Sequence, residues 1–70
     1  MQTYEIKTTT GQYLRESMRS ANTEDVRDVL ARAAGYIGAE GEIEELDGGD
    51  LVIANADGRT ILVAHPVETV

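Results

Sequence analysis

The apolar positions alternate at the start of the chain, fall at helical spacing in its middle, and alternate again near its end. Tyr4 and Ile6 interleave with Thr3, Glu5 and Lys7, which predicts a strand over Thr3–Thr8. Thr9-Thr10-Gly11 suits a three-residue hairpin loop, with Gly11 supplying a positive φ. That loop sets Ile6 opposite Leu14 and Glu5 opposite Arg15, an apolar pair beside an ion pair. Gln12–Ser20 is then the second strand. Its helix formers, and the four-residue spacing of Leu14 and Met18, also suit a helix.

Asn22–Ala34 carries the helical signal. Val26, Val29, Leu30, Ala33 and Ile37 make one apolar stripe. Asn22 is a favoured N-cap with Asp25 three residues on, and Glu24, Asp25 and Asp28 crowd the positive end of the dipole. Asp28 and Arg32 form an i, i+4 pair, and Gly35 is expected to end the helix at C′. Beyond it, Glu42–Asp47 predicts a third strand. Ile43 and Leu46 are three apart, so a bulge at Glu44–Glu45 is needed to bring both to the core face. Gly48-Gly49 is a turn. Leu51–Ala56 and Arg59–His65 are the last strands, joined by Asp57-Gly58. A two-residue loop there pairs Ala54 with Ile61, Ile53 with Leu62 and Val52 with Val63. Leu51, Ile53, Leu62 and Ala64 then line one face, and Val52, Ala54, Ile61 and Val63 the other. Pro66 is expected to end the last strand. The fold class that follows is α+β: a single helix packed on an antiparallel sheet of about five strands, in the order ββαβββ. It forms one domain over residues 1–66 with a short tail at 67–70.

Composition narrows the functional classes. Seventy residues without cysteine, phenylalanine or tryptophan build a thin aliphatic core and offer no disulfide or thiolate metal ligand. A thin core with two apolar sheet faces raises the expectation of a homodimer or a covering partner. No apolar run approaches a membrane span of about 20 residues, and Met-Gln-Thr-Tyr-Glu is no signal peptide, so a cytoplasmic protein is expected. Charge is unevenly divided. Residues 1–35 hold five acids and five bases, whereas residues 36–70 hold eight acids and one base, Arg59, which accounts for the net charge of −7. Such a half repels nucleic acid and anionic membranes and attracts basic surfaces.

The acids concentrate in Glu40–Asp50, six carboxylates in eleven residues. On a strand, Glu42 and Glu44 stand roughly 6.6 Å apart on one face. Glu45, Asp47 and Asp50 extend that line around the bulge and turn, and Asp57 adds a charge in the next turn. Such a line suits an arginine- and lysine-lined groove shaped for a phosphate backbone. The same run also suits a merely solvating surface. The spacing of Asp47-Gly-Gly-Asp50 and Asn55-Ala-Asp57-Gly58 lacks the ligand ladder of a calcium loop, so no metal or other cofactor is expected. Catalysis finds little footing. His65 is the single histidine, no nucleophile is placed beside it by sequence, and paired carboxylates lack an aromatic platform for a sugar. Gly35, Gly38 and Gly41 follow a helix rather than opening one, so turn and cap roles fit them better than a phosphate loop. Tyr13, placed on the outer face by the hairpin register, is a candidate partner contact.

The layout of Tyr4-Glu-Ile-Lys7, Asn22-Thr-Glu-Asp-Val26 opening the helix, and Leu51–His65 with its Asp57-Gly58 turn resembles small phage and mobile-element proteins. Among these are anti-CRISPR inhibitors built as one helix against an antiparallel sheet. The resemblance covers nearly the whole chain as an order of elements. It implies a viral, non-enzymatic inhibitor that works in a bacterial cytoplasm as a DNA mimic, covering a basic surface of a CRISPR effector. Glu42, Glu44, Glu45, Asp47, Asp50 and Asp57 are the residues expected to meet that partner. The alternative is a small homodimeric structural or regulatory domain that buries the second face of its C-terminal hairpin.

Overall fold

The computed structural model describes residues 2–39 and 41–68. It contains β1 (Gln2–Thr8), a short 3-10 turn (Glu16–Met18), β2 (Ser20–Asn22), α1 (Val26–Tyr36), β3 (Ile43–Glu45), β4 (Leu51–Ala54) and β5 (Thr60–Glu68). The strands form one antiparallel sheet in the order β2-β1-β5-β4-β3, with α1 on one face. The architecture is thus the expected α+β fold in the order ββαβββ. Its core joins Tyr4 and Ile6 of β1, Leu51 and Ile53 of β4, and Leu62 and Ala64 of β5 to Val26, Leu30, Ala33 and Ala34 of the helix.

β1 follows its alternation, burying Tyr4 and Ile6 while Glu5 and Lys7 stay exposed. The expected hairpin after it does not form. Residues 9–19 make a wide excursion, and β2 pairs with β1 only through Thr3↔Asn22, Tyr4↔Ala21 and Glu5↔Ser20. Leu14 therefore does not face Ile6 across a ladder, nor Arg15 face Glu5. Leu14 enters the core from the loop instead, 4% exposed. The helix-forming run that made Gln12–Ser20 ambiguous resolves as the 3-10 turn, closed by Met18 N–H to Arg15 O (2.8 Å) and Arg19 N–H to Glu16 O (3.2 Å). Gly11 does take a positive φ, +79°, within this wider loop.

The helix keeps its predicted stripe, with Val26, Leu30 and Ala33 buried and Val29 and Ile37 packed at the margin. Its ends move. Asn22 caps a leading turn, its Oδ1 accepting from Asp25 N–H at 2.9 Å, and α1 begins four residues after it. At the other end Gly35 lies inside the helix, and the left-handed residue is Gly38, φ +74°. Ala39 N–H bonds to Ala34 O (2.8 Å) and Gly38 N–H to Gly35 O (3.3 Å), the paired bonds of a Schellman motif with Gly38 at C′. Asp28 and Arg32 do pair, at 3.6 Å, but both side chains are largely exposed and add only tenths of a kcal/mol.

Both C-terminal turns use one device. Leu46 N–H bonds to Asp50 O and Gly49 N–H to Leu46 O, while Asn55 N–H bonds to Arg59 O and Gly58 N–H to Asn55 O. Each is a three-residue hairpin loop closed by a left-handed glycine, Gly49 (φ +90°) or Gly58 (φ +80°). The Asp57-Gly58 loop is thus one residue longer than a two-residue turn, and Ala54 pairs with Thr60 rather than Ile61. An irregularity between Ile53 and Ala54 absorbs the extra residue. Ile53↔Leu62 and Val52↔Val63 therefore stand as expected. Ile61 leaves the second face and joins the core, 7% exposed. Val52 remains on that face but is itself 5% exposed, so the face is far less bare than the alternation implied.

Two further expectations are overturned. β3 pairs regularly with β4 (Ile43↔Ile53, Glu44↔Val52, Glu45↔Leu51), without a bulge at Glu44–Glu45. Leu46 consequently points away from the core and is 45% exposed. Nor does Pro66 end β5. The strand continues past it to pair Val67 with Thr3 and Glu68 with Gln2, residues expected in a tail. Pro66 is tolerated because β4 pairs with β5 only as far as Leu51↔Ala64, so its missing N–H costs no bond on that side. Residues 69 and 70, the rest of the expected tail, and Glu40 of the acidic run lie outside the described residues.

Candidate interaction surface

The sheet order turns the charge division of the chain into a spatial one. Strands from the neutral half, β2 and β1, occupy one side, and β3 from the acidic half is the opposite edge. Glu44 projects on the open face, in a row with Val52, Val63 and Lys7 across β4, β5 and β1. Glu42 lies just before β3, which at Ile43–Glu45 is shorter than the expected Glu42–Asp47 strand, so strand alternation does not extend to it. Glu45, opposite Leu51, points to the helix side, and Asp47 sits in the β3–β4 loop. All four are exposed. Among the described residues none of them lies in an ion pair with a base of this chain. They surround a free sheet edge rather than forming a single line, because the absent bulge leaves Glu45 on the face opposite Glu44.

Asp50 and Asp57 separate from this group. Asp57 occupies the tip of the β4–β5 hairpin, at the end where β3 begins. Asp50 is half-buried, and its Oδ1 lies 2.7 Å from His65 Nδ1. That pair was hidden in the sequence yet accessible to register counting. If Val52 faces Val63, then Asp50 faces His65 two residues along. Glu5 stands opposite His65 on β1, with Lys7 Nζ 3.4 Å from Glu5, and Ser20 stands opposite Glu5 on β2. The row Ser20, Glu5, His65, Asp50 resembles a nucleophilic set only in composition. Two strand spacings put Ser20 about 10 Å from His65, far beyond a nucleophile–base hydrogen bond. No three His, Asp or Glu side chains among the described residues converge on a common metal position.

The opposite edge has a different chemistry. Tyr13, expected on the outer face of a strand, lies in the 9–19 loop, 66% exposed, beneath the Arg19 guanidinium at 4.9 Å from its ring centre. Arg15 stacks likewise over Tyr36 at 5.6 Å. These are contacts worth about 0.5–1 kcal/mol each at exposed sites. No helix among the described residues is long and apolar enough to cross a membrane. Comparison of the chain with protein-family models, curated proteins and solved structures returned no match.

Proposed function

We propose that this protein is a non-catalytic acidic inhibitor that docks its β3 edge on a basic surface of a nucleic-acid-handling complex. The observation that carries the reading is the set Glu42, Glu44, Glu45 and Asp47: four exposed carboxylates around a free sheet edge, none paired with a base among the described residues. Carboxylates presented this way accept charge-assisted hydrogen bonds from the arginines and lysines that otherwise hold phosphates. The same like charges oppose edge-to-edge pairing of two copies at β3, which leaves the edge available to a basic partner. Asp57 extends the acidic surface at the β3 entry, and Asp50, tied to His65, contributes less.

A CRISPR effector is the first target to test, since the order of elements resembles that of anti-CRISPR inhibitors. The assay is DNA cleavage by guide-loaded effectors, with a basic DNA-binding nuclease unrelated to them as a second target. Inhibition of one of them is expected, with loss in Glu44→Lys/Asp47→Lys and weakening as salt rises, because exposed charges are screened beyond about 8 Å at 0.15 M. Undiminished inhibition by the folded double variant would remove the β3 edge from the mechanism. A stable, salt-insensitive dimer with no effect on either enzyme would favour a structural homodimer instead.

A further inference from the structure

β1 outruns β2. β2 ends its pairing at Glu5↔Ser20, and one more bond follows, Ile6 N–H to Arg19 O at 2.7 Å. There the neighbouring chain turns away, its Arg19 N–H bonding to Glu16 O instead of returning to Ile6. Thr9 N–H points to β5, bonding to Ile61 O, so by alternation Thr8 N–H and Ile6 C=O point to the vacated side. Neither has a backbone partner there among the described residues. An open cavity of about 380 Å³ occupies this position. Ile6 and Leu14 form its apolar floor, Tyr13 borders it, and among the described residues that line it Lys7 and Arg19 are the charged ones. Arg19 is held in place there, its Nε donating to Leu14 O at 2.9 Å and its guanidinium stacked on Tyr13.

We propose that this notch is a binding slot for an extended acidic peptide segment, which continues the β2 side of the sheet along Ile6–Thr8. The free Ile6 C=O and Thr8 N–H supply the main-chain bonds of strand addition, and the floor takes one apolar side chain. Charge complementarity and the open main-chain groups select the occupant: the charged residues lining the cavity, Lys7 and Arg19, are both cations, and Ile6 C=O and Thr8 N–H match a peptide backbone rather than a sugar-phosphate one. Glu5 lies beside Lys7 but does not line the cavity, and its exposed pairing at 3.4 Å is easily exchanged. The slot lies at the opposite side of the sheet from β3 and does not depend on what β3 binds.

The test titrates the ¹⁵N-labelled full chain with an acetylated, amidated peptide of alternating glutamate and valine, and with its lysine–valine counterpart. Binding of the acidic peptide alone is expected. Amide shifts should centre on Ile6–Thr8, Tyr13 and Arg19, and exchange of Thr8 N–H should slow. Lys7→Glu/Arg19→Glu should weaken binding about tenfold through loss of two partly exposed ion pairs. Thr8→Pro, which removes the free N–H without taking a ladder bond, should weaken it by about as much, whereas Thr8→Val, which removes only the hydroxyl's bond to Gln12 O (2.9 Å), should not. Equal binding of the lysine peptide overturns the proposal, as does an absence of shifts at Ile6–Thr8 at millimolar peptide. Self-association that vanishes in the charge-reversed variant, with no peptide bound by the native chain, overturns it in favour of the acidic edge of a second copy.

Discussion

Two glycines near the helix end should respond to alanine with opposite signs. Gly35 lies inside α1, exposed, and a Cβ there would meet nothing within 4 Å. Alanine at this position lowers the backbone entropy of the unfolded chain and should stabilise by about 0.5–1 kcal/mol. Gly38 also has open space around it, but its φ of +74° lies in the left-handed region. Forcing an L-residue there costs about 1–2 kcal/mol. For 70 residues the unfolding entropy is about 0.15 kcal/mol/K, so 1 kcal/mol corresponds to about 7 °C. Gly35→Ala should therefore raise Tm by about 3–7 °C, and Gly38→Ala should lower it by about 7–14 °C. Thermal melts followed by far-ultraviolet circular dichroism resolve both shifts, and calorimetry checks that the transition is two-state. The reverse pattern, Gly35→Ala destabilised and Gly38→Ala unaffected, would place the helix end at Gly35 and refute the Schellman assignment.

Other substitutions probe separate parts of the fold. Leu30→Ala removes a side chain with no exposure at the centre of the helix–sheet core, and should cost about 3–4 kcal/mol in a urea titration. That is a large share of the roughly 4–10 kcal/mol expected for a domain of this length. A Cβ on Gly41 would overlap the Ala54 carbonyl oxygen, so Gly41→Ala should cost about 1–3 kcal/mol and loosen β3 first, seen as faster amide exchange at Glu44. Asn55→Ala loses the side-chain oxygen that accepts from Asp57 N–H (3.0 Å) and Arg59 N–H (3.2 Å), with an expected loss of about 1 kcal/mol by the same titration.

The strands and helix were legible wherever periodicity coincided with burial on one side: Tyr4/Ile6, the Val26-to-Ile37 stripe, and the Leu51 and Leu62 faces. Pairing is not legible where a loop of different length serves equally well. Thr9-Thr10-Gly11 satisfies hairpin chemistry, yet Leu14 enters the core from a loop instead of across a ladder, and nothing local reveals that. At Asp57-Gly58 the loop is one residue longer than expected and the Ile53/Ala54 irregularity takes up the difference, so the register beyond it survives. The spacing of Ile43 and Leu46 requires a bulge only if both side chains are buried, and Leu46 is 45% exposed. The acidic edge was visible as composition, but its placement at a sheet border, and the withdrawal of Asp50 toward His65, depend on strand order. That order is a long-range property set by β1 pairing with β5.

This pairing has a consequence for how the molecule comes into being. The seam at the middle of the sheet joins residues 2–8 to residues 60–68, so its contacts span nearly the whole sequence. A growing chain can form α1 early, but β1 waits for its inner neighbour until β5 has been made. High sequence separation of this kind slows folding relative to helical proteins of equal size. Until the seam closes, β1 stands exposed along one side, and a segment able to pair with it then could arrest folding without affecting the finished protein. Gln2 and Glu68 also end as neighbours, so a short linker could join those ends and new termini could be opened in the 9–19 loop. Such a permutant would make the central seam local, and it should fold faster while leaving the acidic edge unchanged.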